Sequence, residues 1–442
     1  VAVRGACPPR ACPDLQVRLR WEHEAQGESV SDAEPVARAG ISRRGLLGGV
    51  ALGAGGLAVG AAAGYAVAAQ QPGDVAEAGT GSGSEVVDCH GAHQAGIATP
   101  LQASATFLAL DLRDGVDRDA LRRLMRLLTD DISRLTRGVA ALADPTPELA
   151  VVPARLTITV GFGAGLLAAA GLADQAPAWL REGLPEFPID ELQERWSGGD
   201  LMLQVAAEDP VTVSHAVRVL LNDAGTFATV RWIQRGFHRP AHTAPIGITG
   251  RNLMGQVDGT VNPTPGTDDF DRVVWVPADA TPAWLRGGSA MLLRRIAMDL
   301  GTWGGMDLMA KEQAIGRRLA DGAPLTGGTE FTAPDYEALD DNGFLVIPPT
   351  AHMRLAHPVA PTERILRRPY NYDRGTDAEG AADAGLLFAA YMADPIAQFV
   401  PIQERLAKAD VLNVWTTPIG SALFAVPPGF AADEHLGQGL LG

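Results

Sequence analysis

Three observations predict an α+β fold built from two copies of one unit. Residues 201–221 (LMLQVAAEDPVTVSHAVRVLL) and 385–406 (GLLFAAYMADPIAQFVPIQERL) echo each other. Each is an apolar run that reaches an Asp-Pro pair and then changes to helical periodicity. Asp before Pro suits a helix start, because Asp accepts from free backbone N–H groups and Pro lacks one. The elements flanking each echo also follow the same order.

In the first half, ASATFLALDLR (103–113) reads as a strand and residues 116–137 as an amphipathic helix. RLTITVGFG (155–163) and LMLQVAA (201–207) follow as strands, then a helix from Pro210 and a last strand, FATVRWIQRGF (227–237). The second half gives the strand SAMLLRRIAMDL (289–300), a helix near 306–318, and the strands ERILRRPYNY (363–372) and GLLFAAY (385–391). A helix from Pro395 and the strand ALFAVPP (422–428) complete it. Both orders are β-α-β-β-α-β, the ferredoxin-like unit. The second carries a long insertion between Leu319 and Pro361. Two such units can pair their antiparallel sheets with helices outside, a dimeric α+β barrel within one chain, leaving a cavity between sheet and helices.

The division expected along the chain is an unassigned extension (1–41), an export signal (42–69), a flexible linker (70–87) and two halves (88–243 and 244–442). The signal starts at Ser42 with Arg43 and Arg44, then runs uncharged and rich in Gly and Ala to Ala69. Ala66-Val67-Ala68 offers the small-x-small pattern that signal peptidase prefers. It reads as a twin-arginine signal, with the translocase as partner and a periplasmic, cell-envelope or extracellular destination. The alternative is an N-terminal membrane anchor. The linker is Gly- and Ser-rich. Cys7 and Cys12 precede the signal, so Cys89 is the one thiol after it. Twin-arginine cargo folds before crossing, mostly to take up a cofactor first.

Apolar residues make up 46% of the 442 and charged ones 20%, a balance that supports an ample core. A formal charge of −16 argues against nucleic acid or an anionic membrane as the main partner. Eight of the nine histidines follow the signal, yet none stands in H-E-x-x-H spacing. C-x-x-C, G-x-S-x-G and Walker A motifs are absent too, which removes familiar zinc sites, serine hydrolases and P-loop NTPases.

Two stretches remain to carry chemistry. NLMGQVDGTVNP (252–263) holds Asp258 between glycines, and AHMRLAHP (351–358) holds His352 and His357. Arg367 follows His352 by fifteen residues in ILRRPYNY. Alone, Asp258 suits an Asx turn and His352 a hydrogen-bonded core histidine. In this order the residues resemble the dye-decolourising haem peroxidases, in the twin-arginine-exported subgroup that includes the deferrochelatases. GQVDG matches that family's G-x-x-D-G motif and HMRLAHP its proximal-histidine motif; HQAGIATPLQ, from His93, and GLLFAAY also look like family segments. The resemblance runs from about residue 88 to the C-terminus.

The resemblance implies one non-covalent haem b per chain, with His352 as the proximal iron ligand. It further implies hydrogen peroxide and an organic electron donor, a dye or phenol, as substrates. A haem iron takes one imidazole and leaves its other face open. On that face Asp258 is the implied acid–base group, an effect of about 10²–10⁴-fold. Arg367 is the implied stabiliser of developing charge, worth about 10²–10³-fold by analogy with an oxyanion donor. Arg368 faces the opposite way on a strand. A carboxylate base, ordinarily near pKa 4, implies an acidic optimum for dye oxidation.

Gly259, Thr260, Val261, His357, Pro358 and Val359 are implied at the haem edge, and Leu386 and Phe388 at the wall of the distal pocket. Relatives often carry Asn where His357 stands. Asp394 reads as a helix N-cap, matching Asp209 in the first half, rather than as the carboxylate behind the proximal histidine. Surface electron relays are open at Trp232, Trp275, Trp303, Trp415, Tyr370 and Tyr372, each of which also suits packing. Iron release from haem, a non-catalytic haem-binding or delivery role, and a homo-oligomer stay open.

Overall fold

The computed structural model describes residues 82–240, 243, 249–376 and 380–442; the expected export signal, the extension before it and most of the linker lie outside these. All described residues fall in one compact unit beginning at Ala76. Among them, no helix is long and apolar enough to cross a membrane.

The first half runs β1 (Ser104–Leu112), α1 (Arg118–Leu135), β2 (Thr157–Phe162), β3 (Leu201–Ala207), α2 (Pro210–Ala224) and β4 (Ala228–Phe237). The second runs β5 (Ser289–Met298), α3 (Leu308–Ile315), α4 (His352–Leu355), β6 (Leu366–Arg367), β7 (Tyr370–Thr376), β8 (Ala382–Met392), α5 (Pro395–Ala409) and β9 (Thr416–Val426). This is the doubled ferredoxin-like order, with α4 inside the insertion. Asp209 and Asp394 cap α2 and α5 as their sequences require, each accepting from two backbone N–H groups of the first turn. α3 is shorter than its periodicity suggests. Asp307 caps its start through the Ala310 N–H, and Gly316, at φ +89°, ends it in the left-handed region.

The nine strands form one sheet in the order β5-β9-β2-β3-β1-β4-β7-β8-β6, and β5 also pairs with β8, which closes the order into a ring. Long antiparallel ladders hold each half together. The halves meet through Phe162 opposite Ala425 and Phe237 opposite Asn371. Inside the ring, Phe107, Met202, Trp232, Leu293, Tyr370, Tyr391 and Phe424 pack as one cluster drawn from both halves. On the outer face, α1 and α2 cover the first-half strands. The second half places a smaller cluster there, with Met254, Met298, Trp303, Leu386 and Trp415. The period-2 alternation of β8 divides the two environments. Leu387, Ala389 and Tyr391 point into the ring, while Leu386 packs with the outer cluster that Met254 joins.

The expected strand at 363–372 is broken into β6 and β7 at Arg368-Pro369. Pro369 has no N–H to offer a ladder, whereas Arg368 still donates its N–H to the Ala389 carbonyl at 2.8 Å.

Candidate active site

Residues 250–258 fold back on themselves as a short hairpin. Arg251 bridges Val257, and the Asp258 N–H donates to the Gly250 carbonyl at 2.9 Å. At its tip the Asn252 side chain accepts from the Met254 and Gln256 N–H groups, and Gly255 adopts φ +84°, which favours glycine. Met254 is buried, and its carbonyl accepts from the Trp303 indole at 2.9 Å. The hairpin is thereby pinned to the second-half core, and Asp258 leaves it in a fixed place.

Asp258 makes no local turn with its side chain. Its Oδ1 accepts from Arg367 Nη1 at 2.8 Å, across 109 residues of sequence. Both side chains are largely buried, at 13% and 23% exposure. Oδ2 of Asp258 has no hydrogen-bond partner among the described residues. Arg367 lies opposite Ala390 in the β6–β8 ladder, which turns it to the outer face of the sheet with Leu386 and Phe388. Arg368 points the other way. Its buried guanidinium donates to the carbonyls of Ile97 and Thr99 and to Gln102 Oε1.

His352 opens α4. Its Nδ1 lies 2.6 Å from Oδ2 of Asp410, a carboxylate only 3% exposed, whose Oδ1 accepts from the Leu412 N–H. Burial alone would lower the imidazole's proton affinity. The Asp410 charge and hydrogen bond outweigh it, so His352 titrates above its ordinary value. The charges of Arg367 and Asp258 also reach this ring, in opposite senses. The chain after His352 is held by Arg405 on α5, which donates to the carbonyls of Leu355 and His357 and pairs with Glu363. Glu363 in turn accepts from the Val359 N–H.

The other expected edge residues fall in two groups. Gly259 adopts φ +125°, and Thr260 donates its hydroxyl to Glu330 of the insertion at 2.9 Å. Val261 and Val359 are 65% and 77% exposed. Pro358 is half-buried, and His357 is exposed with its ring beside Tyr336, centroids 5.0 Å apart. Leu386 is buried and Phe388 half-buried. The six aromatic residues considered as surface relays are each at most 9% exposed and pack the interior.

Asp410, which holds His352 Nδ1, is the side chain at this site that the sequence did not reveal. It lies in KADVLNVW, where its evident use is to cap the turn at Val411–Val414. Asp394 is the α5 cap, as expected. Glu330, which also accepts from Thr249 at 2.5 Å, carries no signal in the sequence.

A haem fits these residues. An imidazole with Nδ1 held by a buried carboxylate presents Nε2, which has no hydrogen-bond partner among the described residues, as a ligand. The exposed valines offer an apolar rim, and an acid–cation pair lies within electrostatic reach of the imidazole.

Residues 94–238 match the family described as Dyp-type peroxidase, N-terminal, and residues 249–431 match Dyp-type peroxidase, C-terminal. The chain belongs to the Dyp-type peroxidase family. A dye-decolorizing peroxidase of Thermobifida fusca (strain YX) is 41% identical over 425 residues, covering 91% of this chain and 98% of that protein. A deferrochelatase of Escherichia coli (strain K12) is 37% identical over 370 residues, covering 80% and 86%. The crystal structure of a DyP-type peroxidase from Cellulomonas bogoriensis shares 53% identity at a TM-score of 0.79, covering 82% of this chain and 99% of that one. The enzyme is a haem peroxidase, and its reaction takes hydrogen peroxide and an electron donor.

Proposed function

We propose that His352 holds the haem iron and that Asp258 and Arg367 handle hydrogen peroxide, which then drives oxidation of dyes or phenols. The observation that carries this is the convergence of three distant residues. Asp258 and Arg367 form a mostly buried pair at 2.8 Å, and both charges act on an imidazole backed by Asp410.

When bound, the haem supplies the iron and macrocycle that take up the peroxide's oxidising equivalents. Asp410 holds a proton on His352 Nδ1 and so keeps Nε2 as the ligating nitrogen. Asp258, through its Oδ2, takes a proton from hydrogen peroxide and returns it to the oxygen that leaves as water. Arg367 donates to that departing oxygen as its charge grows, and also keeps the Asp258 carboxylate aimed. Leu386 and Phe388 exclude water from this side. Gly259, Thr260 and Val261, with His357, Pro358 and Val359, would line the macrocycle edge.

The absorption spectrum of the purified, haem-supplemented protein tests the ligand. A Soret band is expected in the wild type, altered in position and intensity in His352→Ala. An unchanged spectrum in that variant contradicts the assignment. Iron release from haem is the second reading, supported by the deferrochelatase relative; assay of free iron and metal-free porphyrin separates it from dye oxidation. The paired arginines and the apolar run after them support export by the twin-arginine translocase, with haem taken up before crossing. Replacing Arg43 and Arg44 by Lys should retain the enzyme in the cytoplasm; unchanged export refutes that route.

A further inference from the structure

We infer that Asn262 is the positioning residue that sets Arg367 against Asp258, an inference that rests on the role proposed for Arg367. The Asn262 amide engages both backbone polar groups of Arg367. Its Nδ2 donates to the Arg367 carbonyl at 2.7 Å, and its Oδ1 accepts from the Arg367 N–H at 3.1 Å.

Strand geometry explains why a side chain is needed there. The N–H of Arg368 donates to Ala389 of β8, so the N–H and C=O of Arg367 point to the opposite edge. β6 has two residues and is the last strand in the sheet order, so among the described residues that edge has no neighbouring strand. Asn262 takes the neighbour's place with one donor and one acceptor, a pair that only a carboxamide side chain presents in this geometry. Asn262 is itself fixed, since its N–H donates to the Gly259 carbonyl at 3.0 Å. Both ends of the loop 258–262 therefore hold Arg367. Asp258 takes its guanidinium and Asn262 its backbone. Losing the second hold leaves the guanidinium free to shift along the strand.

The test compares haem-loaded wild type with Asn262→Ala, Asn262→Asp, Arg367→Leu and the double variant Asn262→Ala/Arg367→Leu. Asn262→Asp keeps the acceptor and the volume, and loses the donor. A Soret band and a cooperative melt establish that each is folded. Single-turnover reaction with peroxide should slow by about 10- to 100-fold in Asn262→Ala, with KM for the electron donor unchanged. On the Arg367→Leu background the same change should cost less than about twofold. In the haem-free protein, hydrogen exchange at the Arg367 amide should accelerate in Asn262→Ala and accelerate less in Asn262→Asp, which keeps the acceptor for that N–H. Wild-type peroxide rates in both Asn262 variants, with Arg367→Leu slow, overturn the positioning role. Fully additive losses in the double variant overturn it as well, because Asn262 would then act independently of Arg367. A wild-type rate in Arg367→Leu overturns the role of Arg367 itself, and the positioning role with it.

Discussion

Replacing Asp410 by Asn should weaken the hold on haem far more than it disturbs the fold. The carboxylate is 3% exposed and lies 2.6 Å from His352 Nδ1, the geometry of a charge-assisted hydrogen bond. Such a bond contributes about 1.5–3 kcal/mol. At about 1.4 kcal/mol per decade, that corresponds to a loss of roughly 10- to 100-fold in haem affinity, the range seen for partners of metal-ligating histidines. Asn keeps an oxygen for the Leu412 N–H, so the turn cap at 411–414 survives. The assay is titration of haem into the haem-free wild type and Asp410→Asn, followed at the Soret band. The ferric/ferrous midpoint potential should also rise, because a less basic imidazole stabilises ferric iron less. Equal affinities and equal potentials would refute the claim that Asp410 tunes this histidine.

Two further outcomes follow from buried charge. Asp131 on α1 is 4% exposed, and burial, reinforced by the side-chain hydrogen bond and charge of Asp223, pushes its pKa up to about 8. The folded state then binds a proton that the unfolded chain releases near pH 4. Asp131's contribution to stability should fall as pH rises from about 4 to about 8 and flatten above that. Asp131→Asn should remove this slope in urea unfolding; identical slopes refute the burial argument. Arg368→Met should destabilise by about 3 kcal/mol, because two buried acceptors and a half-buried one lose a charged donor. Its peroxide reaction per bound haem should stay at the wild-type rate, and a collapse of that rate would contradict the assignment of Arg367 alone.

Much of the fold was legible because its determinants are local. The Asp-Pro caps at 209–210 and 394–395, and the alternation through residues 385–391, each state their element within a few residues. The opposed directions of Arg367 and Arg368 followed from strand geometry alone. The site was legible only as far as motif and resemblance carried it. Asp258 reads locally as a turn residue, and the reason it is not one, Arg367, lies 109 residues away. Asp410, Glu330 and Asn262 act through partners brought near by closure of the sheet and by the insertion, which no local pattern records. Asp410 was further hidden because it also caps a turn, a sufficient reason for an aspartate at that position. The six aromatic residues left open between relay and packing are buried, and aromatic identity alone does not distinguish the inside of a closed sheet from its outside.

The most direct test of the central claim is rapid mixing of haem-loaded wild type and Asp258→Ala with equimolar hydrogen peroxide, followed by absorbance. The account predicts that Asp258→Ala binds haem with an unchanged affinity and reacts about 10²–10⁴-fold more slowly. Equal rates in the two proteins would show that the carboxylate between the glycines is not the peroxide's base.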